Sequence, residues 1–249
     1  MTAIDPLAPS GREPRTDTRT VRLTATALLL DMDGTLVDSS VVVERTWAQF
    51  ARRHGLDVRD VLAVSHGRPT AQTVRMFAPP GIDRVAEHRR IERAEIDDTD
   101  GVVAVPGAAG LVARLPPGRW ALVTSAGRRL AERRMAAAGL PLPAVVVTAD
   151  DVAAGKPDPE GYLAAATRLG CRPEEAVVVE DAAAGVEAGL AAGCRTVLVG
   201  RAAVRDRRGL YRVPELSGLR VDPRPDGDLT IRWTDRCCSA TPEHSQEAR

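Results

Sequence analysis

Two aspartates, Asp31 and Asp33, stand two residues apart in the segment DMDGT, directly after the unbroken apolar run Ala27 to Leu30. A short apolar run closed by a turn signal has the pattern of a central strand in a parallel sheet. Its end then lies at the carboxyl edge of the sheet, where open α/β folds bind ligands. The same edge receives Thr124 and Ser125 in ALVTSAG, Lys156 in ADDVAAGKPDPEGY, and Glu180 with Asp181 in VVVEDAAAG. Carboxylates crowded together repel one another unless a cation neutralises them, and hard divalent cations choose oxygen ligands. Mg2+ is the natural occupant. Held by a few protein oxygens, it keeps positions open for water and a substrate phosphate, while a lysine and a hydroxyl suit the remaining phosphate oxygens.

The elements that must position these residues follow from the texture of the chain. From Val105 onward, strand patterns such as RWALVTS, PAVVVTADD, AVVVED and RTVLVG alternate with helical ones such as GRRLAERRMAAAG and DPEGYLAAATRLG. That alternation predicts an α/β fold, a doubly wound parallel sheet with a Rossmann-like core. Residues 40–100 carry no strand pattern; Val43, Trp47, Phe50 and Ala51 share one helical face and Gly55 follows as a stop. A small all-helical cap, residues 39–104, is therefore inserted after the first strand of a core made of 21–38 and 105–215. Residues 1–20, rich in charge and proline, read as a disordered leader, and 216–249 as a variable C-terminal extension with a short hairpin in DPRPDGDLTIRW and a loose tail.

Composition narrows the class. Lysine plus arginine equals aspartate plus glutamate, 34 each, so net charge selects neither nucleic acid nor membrane as partner. Cys171, Cys194, Cys237 and Cys238 show neither metal-ligand spacing nor a disulfide framework, which fits a reducing, cytoplasmic compartment. No apolar run approaches the ~20 residues of a membrane helix. The expected partner is a small-molecule phosphate ester, and the expected state a monomer or weak homo-oligomer.

In order along the chain, DMDGTLVDS, VTSAG, GKPDPEGY and VVVEDAAAGVEAGLAAG resemble the motifs of the haloacid dehalogenase superfamily, phosphatase branch, with a cap of the type inserted after the first strand. VPGA, RWALVTSA and HGRPT are similar to the sugar-phosphate and polyol-phosphate phosphatases, including the 2-deoxyglucose-6-phosphate and glycerol phosphatases. The resemblance spans about residues 26–200. It implies that Asp31 is the nucleophile and that Asp33 protonates the departing alcohol and then deprotonates the hydrolytic water. It implies further that Thr124, Lys156 and the amides around Gly34 hold the phosphoryl group. The implied metal ligands are Asp31, the Asp33 carbonyl and Asp181, with Glu180 reaching the ion directly or through water.

Other residues admit a plainer role beside the functional one. Ser125 is an alternative to Thr124. His66 and Arg68 in the cap either contact substrate or decorate a surface turn. Trp47 and Phe50 read as cap core, the arginines of GRRLAERR as a solvated helix face, Asp158 as a helix cap, and Asp150 and Asp151 as turn carboxylates. The β-phosphoglucomutase group carries a histidine in its first cap helix where this chain has Val43, which favours hydrolysis over phosphoryl transfer to a sugar; a catalytically silent phosphate-ester sensor is the other alternative.

Overall fold

The computed structural model describes residues 18–65 and 68–236. Along the chain, β1 (Thr18–Ala25) leads into β2 (Ala27–Leu30), all four residues of which are buried. A two-residue strand, β3 (Val37–Asp38), follows and pairs antiparallel with β4 (Val103–Ala104). Between them fall four helices: α1 (Ser40–His54), α2 (Val58–Ser65), α3 (Thr70–Phe77) and α4 (Arg84–Asp97). Gly55, at φ 64°, stops α1, and Asp83 starts α4 by accepting from the amides of Val85 and Ala86 at 3.0 Å. Their shared core is Trp47, Phe50, Val61, Val74 and Ile91. Trp47 meets Phe50 edge to face at 5.4 Å.

The rest alternates as the sequence pattern requires: α5 (Ala108–Val112), β5 (Trp120–Val123), α6 (Arg128–Ala137), β6 (Val145–Val147), α7 (Glu160–Arg168), β7 (Ala176–Glu180), α8 (Ala183–Ala191), β8 (Arg195–Val199) and β9 (Leu210–Val213). Six parallel strands form one sheet in the order β6-β5-β2-β7-β8-β9. The chain winds outward from β2 to β5 and β6, then returns to lay down β7 to β9 on the other side. The reversal beside β2 is a topological switch point, and it opens a crevice at the strand ends. Side chains of β2 alternate across the sheet. Leu28 and Leu30 join Leu122, Val177 and Met135 on one face, and Leu29 joins Val123, Val178 and Tyr162 on the other.

The ends of the described chain depart from expectation. β1 pairs along its whole length with β11 (Leu229–Arg236), which also pairs with β10 (Arg220–Pro223), giving a three-stranded antiparallel sheet. Residues 18–20, expected in a leader, are therefore strand, and the segment beyond 215 contributes a hairpin joined by a third strand. The cause is an amphipathic alternation: Leu229, Ile231 and Trp233 point into the main core beside Leu23 and Val221. Burying each such side chain contributes about 1.5–3 kcal/mol, which a solvated tail would forgo. Cys237, Cys238 and the tail beyond them lie outside the described residues. Among the described residues, no helix is long and apolar enough to cross a membrane.

Candidate active site

The ends of β2, β5 and β7 meet over the crevice. Asp31 follows β2 at once, its amide donating to the Val179 carbonyl at 3.1 Å. Lys156, from the loop between β6 and α7, is buried and brings Nζ to 2.5 Å from Oδ1 of Asp31, 2.6 Å from Oε1 of Glu180 and 3.1 Å from the Val123 carbonyl. Tyr162 on α7 donates its hydroxyl to the same Glu180 oxygen at 3.0 Å, and its ring centre lies 5.2 Å from Nζ. Oε2 of Glu180 accepts from the amides of Asp181 and Ala182, both at 3.0 Å. Gly185 on α8 makes room for this carboxylate, since a Cβ there would stand 1.6 Å from Oε1.

Charge is concentrated under these contacts. Burial raises the Asp31 carboxyl well above the usual carboxylate range, with Glu180 adding to the rise and Lys156 opposing it. Asp181 is pushed up to about 7, first by burial and then by Glu180. Burial works against the Lys156 ammonium, but Asp31 and Glu180 outweigh it and the group stays protonated well beyond a free lysine. Three carboxylates share the one ammonium of Lys156, which offsets their burial only in part. One oxygen from each of Asp31, Glu180 and Asp181 lies within 4.8 Å of the others. An all-oxygen set of that span suits a hard divalent cation.

The turn after Asp31 is built around the same group. Gly34 has φ 87°, and a Cβ on it would lie 2.0 Å from Oδ2 of Asp181. Thr35 donates its hydroxyl to Oδ1 of Asp181 at 3.2 Å. The Gly34 amide donates to the Val37 carbonyl at 2.8 Å, so among the amides of this turn its own is already engaged, and the glycine makes room by lacking a side chain.

Asp33 stands apart from the three clustered carboxylates. Its Oδ1 accepts from the Ser39 hydroxyl at 2.7 Å and its Oδ2 from Nη1 of Arg134 at 2.8 Å. Arg134 belongs to the arginine run of α6, expected to be a solvated face, yet its side chain is only 5% exposed. It lies one turn after buried Leu130 and beside Met135, so helical spacing turns it inward. Its Nη2 is 3.3 Å from Oε2 of Glu95 on α4. Burial pushes the Glu95 carboxyl up to about 7, against the pull of Arg134.

Asp31, Asp33, Gly34, Thr124, Ser125, Arg68 and Asp181 line one cavity of about 190 Å³ between the parallel sheet and the helical segment. Lys156 lines an adjoining cavity of about 290 Å³. Oγ1 of Thr124 accepts from the Ala126 amide at 3.1 Å, leaving its proton to donate, and the Ser125 hydroxyl is buried without a hydrogen-bond partner. Trp47 belongs to the helical core as expected but also borders the cavity of about 190 Å³, as does Val43. Asp158 accepts from the Glu160 amide at 2.9 Å at the start of α7. Asp151 is a structural carboxylate, taking the amide and hydroxyl of Thr148 and pairing with Arg128 and Arg168. His66 lies outside the described residues. Ser39, Glu95, Arg134, Tyr162 and Gly185 were not singled out as site residues from the sequence; only the turn-by-turn spacing of Arg134 behind Leu130 carried a readable signal.

Fold and site together define a hydrolase built on carboxylates at a topological switch point. The haloacid dehalogenase-like hydrolase family model matches residues 25–193, and the chain belongs to that family. It is 44% identical over 210 residues to hexitol phosphatase A of Escherichia coli strain K12, covering 82% of this chain and 97% of that protein. It is 33% identical to glycerol-1-phosphate phosphohydrolase 2 of Saccharomyces cerevisiae, covering 72% of this chain and 76% of the other. CbbY from Rhodobacter sphaeroides, crystallised with phosphate, shares the fold with a TM-score of 0.66 at 23% identity, over 78% of this chain and 95% of that one.

Proposed function

We propose that the chain hydrolyses the phosphomonoester of a small phosphorylated sugar or polyol, with Mg2+ as the bound cation. The observation that carries this is the placing of two carboxylates in different company at one strand end: Asp31 beside Lys156 and Asp181, and Asp33 beside Ser39 and Arg134.

Asp31 attacks phosphorus, the ester P–O bond breaks, and the alcohol oxygen takes a proton from Asp33. Water then attacks the aspartyl-phosphate, Asp33 accepts the water's proton, and phosphate leaves Asp31. Lys156 holds Asp31 in place and offers positive charge to the phosphoryl oxygens, and Thr124 or Ser125 donates to another of them. Asp31, Asp181 and the Asp33 carbonyl would hold Mg2+, with Glu180 anchoring Lys156 beneath them; the ion supplies charge to offset the phosphoryl oxygens. Val43, in the cavity wall, has no group to pass a proton to a second sugar oxygen, which favours hydrolysis over a mutase reaction. Arg68 at the rim and Trp47 in the wall are placed to contact the alcohol portion.

The test is phosphate release from a panel of hexose, hexitol, glycerol and glycolate phosphates, with Mg2+ and with a chelator. Metal-dependent release strongest on sugar or polyol esters supports the proposal. Binding of esters without release, by folded protein, would replace it with a sensing role.

A further inference from the structure

Asp33 is gripped from two directions, and both lead to the helical segment. Ser39, which donates to Oδ1, is the residue immediately before α1, on the linker that enters the segment. Arg134, which donates to Oδ2, reaches with its other terminal nitrogen toward Glu95, near the end of α4, the helix from which the chain returns to the core. The pairing of β3 with β4 ties those entering and returning linkers together. The proton-carrying group of the core thus touches the entering linker directly and the returning helix only through Arg134.

This arrangement is poorly explained as a device for stability. A buried ion pair contributes little beyond what apolar residues of similar volume would. Nε and Nη2 of Arg134 are buried without hydrogen bonds, so the contact to Glu95 is an ion pair lacking hydrogen-bond geometry. What Ser39 and Arg134 do is place one donor on each oxygen of Asp33, which fixes its rotamer.

We propose that Arg134 is a positioning residue which, with Ser39, orients Asp33 toward the leaving oxygen, and that Glu95 makes this orientation depend on how the helical segment is seated. The proposal rests on Asp33 being the proton-transferring carboxyl, as set out above. Its consequence is specific to the alcohol. An alkoxide needs a proton to depart, whereas a nitrophenolate departs without one.

The experiment compares single-turnover cleavage and KM for glycerol 1-phosphate and p-nitrophenyl phosphate at saturating Mg2+, in the wild type and in Asp33→Asn, Arg134→Met, Arg134→Lys and Glu95→Gln. Arg134→Met should slow cleavage of glycerol 1-phosphate about 10- to 100-fold and that of the nitrophenyl ester less than about 3-fold, with KM for both little changed. Arg134→Lys should recover part of the loss. Glu95→Gln should show the same ester dependence more weakly, and adding it to Arg134→Met should cost nothing further, because the two act in series. Equal losses on both esters in Arg134→Met, with Asp33→Asn still ester-dependent, would overturn the proposal alone. Equal losses in Asp33→Asn would overturn the role of Asp33 itself. Should Arg134→Met melt below the assay temperature, the same comparison in Arg134→Lys and Glu95→Gln decides.

Discussion

Lys156 and Glu180 form a buried pair, Nζ to Oε1 at 2.6 Å, in which the carboxylate also takes the Tyr162 hydroxyl and two backbone amides. With its acceptors so engaged, Glu180 holds the ammonium directly under Asp31. Removing the ammonium by Lys156→Met leaves buried carboxylates without countercharge, which costs about 3–5 kcal/mol in metal-free protein. Mg2+ should restore part of the lost melting temperature, more than it raises that of the wild type. An unchanged melting temperature in the metal-free variant would show that the pair contributes no net stability.

Asp31→Asn keeps the shape of the side chain and removes its charge and nucleophilicity. Phosphate release should fall about 1,000-fold or more, while the circular dichroism spectrum and substrate binding persist. Substantial residual turnover would assign the nucleophile elsewhere.

Cation binding should release protons. Asp181 holds its proton up to about 7, and Asp31 is raised well above the usual range. Both must ionise to ligate metal. Titration calorimetry with Mg2+ in buffers of different ionisation enthalpy should reveal proton release at pH 6, of which the Asp181 share declines above pH 7. Apparent affinity should climb with pH across the same interval.

Gly34→Ala places a Cβ where Oδ2 of Asp181 now lies and forces a left-handed backbone on an alanine. Mg2+ affinity should fall at least about 10-fold, with a smaller loss of stability near 1–2 kcal/mol. Wild-type Mg2+ affinity in this variant would mean that Asp181 tolerates displacement.

Glu95 gives a stability signature with a definite sign. Its folded value, about 7, lies above the ordinary 4.5, so the folded state binds the extra proton. Its favourable contribution is complete below pH 4.5 and is lost as pH rises to about 7. Glu95→Gln, with no proton to lose, should gain stability relative to wild type across that window, by up to roughly 3 kcal/mol. A difference between the two proteins that does not vary with pH would contradict this.

Much of the site was legible because strand ends are. Asp31, Lys156 and Asp181 each follow a run or turn whose direction the parallel sheet dictates, and the edge gathers them. What the sequence does not carry depends on approach rather than pattern. Glu95 and Arg134 meet only when α4 lies against α6, and no spacing in either helix encodes that crossing. Gly185 matters because a carboxylate five residues earlier folds back over it. The strand at Thr18–Ala25 is hard to read for another reason: its Val21, Leu23 and Ala25 alternate properly, but the partner strand lies about 200 residues away.

That partnership has a mechanical meaning. Thr18 sits opposite Arg236, so both ends of the described chain lie at the same seam. The fold is a closed circuit in which either end is the clasp for the other. A deletion that strips β1 bares Leu229 and Ile231, and trimming β11 bares Leu23 and Val221 in turn. Conversely, a short linker across the seam, with the chain reopened in an exposed loop elsewhere, would reorder the sequence and leave the catalytic sheet untouched.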